Sequence, residues 1–149
     1  MQSTYALALI ATLSLASLGC GSDSCTPLAA TDFGCTDPID CLAVKITWNY
    51  PGGSNRGSAD LDLRLLYNDS TLVDYSGGTI CRHTGDAQAS GTEQESEAII
   101  CDAPLDGKYD FSWRTFFIFD IDTRVDVNDR GSVTCSYEQR TGALQILVP

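Results

Sequence analysis

Residues 46–66 read ITWNYPGGSNRGSADLDLRLL, two alternating apolar runs separated by a Gly-rich break. In the second run Leu61, Leu63 and Leu65 alternate with Asp60, Asp62 and Arg64. A helix, at about 3.6 residues per turn, would scatter positions i, i+2 and i+4 around its surface. A strand holds the three leucines on one face and the three charges on the other. The first run behaves in the same way. Leu42, Val44, Ile46, Trp48 and Tyr50 share one parity, while Ala43, Lys45, Thr47 and Asn49 share the other. Pro51, Gly52 and Gly53 end it, because proline removes a ladder donor and glycine admits turn dihedrals. The pattern predicts two half-buried strands, with the leucines in a core and Asp60, Asp62 and Arg64 in water.

The same periodicity continues downstream. Tyr109, Phe111, Trp113 and Thr115 share a parity, and FFIF at 116–119 is continuously apolar. Ile121, Thr123, Val125 and Val127 alternate with Asp122, Arg124 and Asp126, which reads as an edge-like strand. NDRG at 128–131 marks a hairpin turn, with Gly131 suited to a left-handed position. Short strands are also expected at 72–75, 97–101, 133–137 and 143–148. About eight short strands with polar turns and no convincing helix define the expected class: all-β, a jelly-roll-like antiparallel β-sandwich. Trp48, Phe111, Trp113 and the three leucines are the first core candidates.

The N-terminal stretch is of another kind. Residues 5–18 are apolar, and no charge precedes Asp23. Such a run is short for a membrane span and reads as a targeting segment. It leads into LASLGC at 15–20, which resembles a bacterial lipoprotein signal whose cysteine, Cys20, becomes the acylated N-terminus. Residues 1–19 are then the signal, 20–40 a cysteine-bearing tether that lets the domain stand off a membrane, and 41–149 one sandwich domain. Cysteine parity supports this division. The chain has seven cysteines. With Cys20 acylated, Cys25, Cys35, Cys41, Cys81, Cys101 and Cys135 remain to form disulfides in an oxidising compartment. The expected location is the bacterial cell envelope, lipid-anchored in the outer membrane and extracytoplasmic. Ordinary secretion with a free or intermolecular thiol is the alternative. The cysteine spacings are too wide for zinc knuckles.

Acidic residues outnumber basic ones 20 to 9, and lysines occur only at 45 and 108. That balance argues against nucleic acid as a partner. Two readings of Asp60 and Asp62 stand side by side: a solvated strand face, or a site for a hard cation such as Ca2+ with oxygens from nearby loops. Glu93, Glu95 and Glu97 form a second acidic cluster, in and after a polar loop. If it converged on Asp60 and Asp62, the repulsion would call for a cation. Trp113, Phe116 and Phe117, if exposed rather than core, would offer stacking faces to a polysaccharide or a protein. His83, the single histidine, sits in RHTGD at 82–86 and reads as exposed loop. No strained nucleophile turn and no second histidine accompany it. NDS at 68–70 has the glycosylation pattern, which carries no function in a bacterium.

An aromatic-ended strand, a Gly/Ser turn, ADLDLRL at 59–65 and LVDY at 72–75 before SGG together resemble the bacterial pre-peptidase C-terminal domains and related sandwiches with a DLDL strand. DGKYDFS at 106–112 is similar to their G-x-Y strand. The resemblance spans residues 45–119, and the cysteines here depart from it. It implies a non-catalytic accessory module of the kind carried by secreted enzymes and surface proteins, some of which bind calcium, collagen or polysaccharide. The resulting expectation is a cell-envelope lipoprotein acting as a binding or accessory module, Ca2+-stabilised if the aspartates hold a cation. The alternatives are a purely structural envelope protein and a carboxylate-based hydrolase.

Overall fold

Alternation in the sequence becomes strand in every segment where the chain also finds an antiparallel neighbour. The computed structural model describes residues 25–49, 59–74, 78–85, 88–89, 94–115, 122–139 and 142–149. The strands, in chain order, begin with β1 (Cys41–Asn49), β2 (Ala59–Tyr67), β3 (Thr71–Val73), β4 (Arg82–His83) and β5 (Gln88–Ala89). They continue with β6 (Gln94–Asp102), β7 (Gly107–Thr115), β8 (Asp122–Asp129), β9 (Ser132–Gln139) and β10 (Gly142–Val148). The first sheet has the order β4-β6-β1-β8-β9. The second has the order β10-β7-β2-β3, with β5 also pairing to β2. All pairings are antiparallel. The molecule is therefore the expected all-β sandwich, with eight longer strands and the two-residue β4 and β5 among the described residues.

The core fills the space between the sheets. Leu42, Val44, Ile46 and Trp48 of β1 meet Leu61, Leu63 and Leu65 of β2 and Tyr109, Phe111 and Trp113 of β7. The core residues expected from periodicity are all there. Hairpins set the register. Asn68 and Asp69, with φ of 47° and 62°, are the central pair of a primed turn closed by Ser70 N–H on Tyr67 O, within the three-residue loop from β2 to β3. Arg130 and Gly131 are such a pair between β8 and β9, with φ of 49° and 88°.

Gly142 opens β10 against the Trp113 indole. A Cβ there would lie 2.1 Å from a ring carbon. Gly142→Ala must displace the ring, and is expected to cost about 1–3 kcal/mol in denaturant unfolding followed by tryptophan fluorescence.

One expectation about the first sheet changes. β8 is not an edge strand: β1 flanks it on one side and β9 on the other. Its outer face is also not in water, because Asp126 and Asn128 are fully buried there. Residues 25–40 cover it. This segment, expected to be a tether, lies as a strap across the outer face of the first sheet and forms short 3-10 turns at Ala30–Phe33 and Pro38–Asp40. Phe33 is buried in a second apolar cluster with Cys41, Ala43, Ala98 and Ile100. Polar contacts fasten the rest. Arg124 Nη2 donates to Thr26 O at 2.7 Å, and Asn128 Nδ2 donates to Pro38 O at 3.0 Å. Thr36 N–H donates to Asp102 Oδ1 at 2.8 Å. That hydrogen bond, with help from Arg82, holds the Asp102 carboxyl below its ordinary pKa. Its contribution to holding the strap is therefore present above the usual carboxylate range and lost as pH falls through the lowered value.

Candidate functional site

The carboxylates of β2 lie where parity puts them, on the face opposite the leucines, but they are not solvated. Asp60 is 9% and Asp62 5% exposed, while the leucines are fully buried. This overturns the expectation of charges in water. Across the ladder Asp62 stands opposite Arg114 of β7, and Arg64 stands opposite Ser112. Opposite charges at facing positions stabilise a sheet. Both aspartates hold polar partners, as buried carboxylates must. Among the described residues neither belongs to a group of three metal-ligating side chains. The one such group among the described residues, Cys35, Cys41 and Asp102, contains a disulfide.

Glu97 does not join them. It shares parity with Ile99 and Cys101 on β6 and points into the core, where it is fully buried. On the edge of β2, residues 61–64 lie between the stretch paired to β5 and the stretch paired to β3. Leu63 N–H in that gap donates to Glu97 Oε2 at 3.0 Å. A side chain from one sheet thus fills a ladder position in the other. His83 Nε2 lies 3.4 Å from the same oxygen, and the two side chains are 1% and 0% exposed. His83 Nδ1 accepts Gly85 N–H at 3.0 Å, so the ring proton of the neutral imidazole lies on Nε2, facing Glu97. The position of His83 is fixed by β4, whose His83 pairs with Ile99, and by the Cys81–Cys101 disulfide just before it. The exposed-loop reading of His83 is therefore corrected: its imidazole is a core group. Glu97→Gln keeps an acceptor for Leu63 N–H but puts an amide where the carboxyl faces His83 Nε2. We expect it to cost about 1–3 kcal/mol in thermal or denaturant unfolding.

The six cysteines from Cys25 onward are all bridged, as Cys25–Cys135, Cys35–Cys41 and Cys81–Cys101. Cys20 lies outside the described residues, as do Phe116 and Phe117. Trp113 is 3% exposed, so its ring is core and presents no stacking face to a ligand. Its Nε1–H is buried and donates to nothing among the described residues.

One surface feature had no signal in the sequence. Beside the strap, the outer face of the first sheet carries two adjoining cavities of about 330 and 210 Å3. Lys45 and Ser96 line both. Asp126, opposite Lys45 on β8, is already taken by Arg124, whose Nε lies 2.6 Å from its Oδ2. Among the described residues Lys45 forms no ion pair. Neither family models, nor curated proteins, nor solved structures give a match to this chain.

Proposed function

We propose that this chain is a lipoprotein of the bacterial cell envelope, acylated at Cys20, whose sandwich serves as a non-catalytic binding or accessory module. The observation that carries this reading is the bridging of all six cysteines from Cys25 onward, which leaves Cys20 as the single cysteine of seven for another fate. Disulfides of this number fit an oxidising, extracytoplasmic compartment. A non-catalytic role is supported by the sealing of the His83–Glu97 pair in the core, out of reach of any substrate.

Full-length protein made in a bacterial host tests the anchor. Wild type should fractionate with membranes and carry acyl mass on Cys20, while Cys20→Ser should not. Unacylated, soluble wild type would end this reading.

The buried Asp60–Asp62 end of β2 is proposed as a Ca2+-stabilised position. Ca2+ should then stabilise the metal-free protein, by about 2.7 kcal/mol at a hundredfold excess over Kd, and raise its unfolding temperature accordingly. Asp60→Ala and Asp62→Ala should abolish that increment. An unchanged melting curve for wild type would remove calcium from the account.

A further inference from the structure

We propose that the domain rests on the membrane surface through the β9 side of its strap-covered face instead of standing off the bilayer. This rests on acylation of Cys20. The carrying observation is the position of Cys25, whose Cα is fixed 6.1 Å from that of Cys135 on β9. Cys20 and Cys25 are five residues apart. Extended chain reaches at most about 3.6 Å per residue, so Cys25 stays within roughly 18 Å of the acylated residue.

That leash is shorter than the alternative orientation requires. With the second sheet facing the bilayer, Cys25 would sit above two sheets about 10 Å apart, with side chains below and the strap layer above, roughly 20 Å or more from the headgroups. The leash would not span it. The side bearing the Cys25–Cys135 bridge is the one that brings Cys25 nearest the headgroups.

The surface on that side suits headgroups. Tyr137, two residues from Cys135 on the same face, is 50% exposed, with its hydroxyl against Arg124. Ile39, packed against the β8–β9 turn at Gly131, is 72% exposed. Tyrosine and arginine place an apolar body and a polar tip at an interface. Two carboxylates of β8 are paired within the molecule, Asp126 with Arg124 and Asp129 with Arg130. The strap still carries exposed Asp32, Asp37 and Asp40. The short leash therefore sets the orientation, not charge attraction, and the partner is a zwitterionic lipid surface.

The test uses full-length acylated protein in phosphatidylcholine vesicles. A diazirine-bearing amino acid replaces either Tyr137 or Leu147, the latter 66% exposed on β10 of the second sheet. Irradiation should give several-fold more lipid adduct at 137 than at 147. A long Gly/Ser insert between Ser22 and Asp23 should erase that difference while acylation persists. Equal or reversed labelling of an acylated chain overturns the orientation, and a difference that survives the insert overturns the leash. Absence of acyl mass on wild-type Cys20 overturns the anchor itself, and the mass spectrum separates that failure from the other two.

Discussion

Leu63→Asp is expected to prevent folding, while Leu66→Thr, three residues along the same strand, leaves stability within about 0.5 kcal/mol. Leu63 is fully buried, faces Trp113 across the ladder, and has its backbone N–H on the Glu97 carboxylate. Truncating a core leucine costs about 2–5 kcal/mol for lost contacts and cavity. Aspartate adds an uncompensated charge in the core, beside the Glu97 carboxyl, and a buried charge left without a partner costs about 3–5 kcal/mol by itself. Together these match the whole stability of a small domain, about 5–15 kcal/mol. Leu66 points the other way and is 40% exposed. Threonine suits a strand and avoids a like charge opposite Asp110 of β7. Far-UV circular dichroism and denaturant titration of the two variants provide the comparison. A folded Leu63→Asp with a normal midpoint would contradict the core described here.

The second large effect concerns the strap. Replacing Cys25 and Cys135 by serine opens a loop closed over a sequence separation of 110 residues. The loss of chain-entropy restraint is about 4–5 kcal/mol for a loop of that length. Opening Cys35–Cys41, with a separation of 6, removes about 2 kcal/mol on the same scale. The long bridge should therefore dominate by denaturant midpoint. Its removal should also free the start of the strap, so that limited proteolysis cuts between Cys25 and Phe33 before the sandwich unfolds. If the short bridge proves the more costly to lose, the strap is held by its Phe33 contacts and not by its disulfide.

Periodicity revealed the faces of the strands but not what covers them. Leu61, Leu63 and Leu65 were legible because alternation alone sends them inward. Asp60 and Asp62 were legible as the opposite face, yet their burial was not, since a period of two says nothing about a second layer. The same holds for Asp126 and Asn128, which are covered by a strap roughly a hundred residues earlier in the chain. Glu97 did leave a signal: it shares parity with Ile99 and Cys101 on one strand. Its acidic neighbours Glu93 and Glu95 drew it into a polar-loop reading instead. His83 had no comparable signal, because a two-residue strand has no period to read. Cysteine parity indicated three bridges and one leftover, whereas the partners followed only from three-dimensional positions.

The connectivity of the bridges has a consequence for biogenesis. A chain is synthesised N-terminus first, so Cys25, Cys35 and Cys41 emerge together, while Cys135, the native partner of Cys25, comes last of all. Early oxidation that closes Cys35–Cys41 is native and leaves Cys25 free to wait for Cys135, whereas early oxidation that joins Cys25 to Cys35 or Cys41 leaves Cys135 without its partner. A chain that takes the second course matures only by thiolate attack on the early bridge, through a mixed disulfide, before the strap is sealed in place. The abundance of this protein should track the disulfide isomerase activity of its compartment more closely than the oxidising capacity.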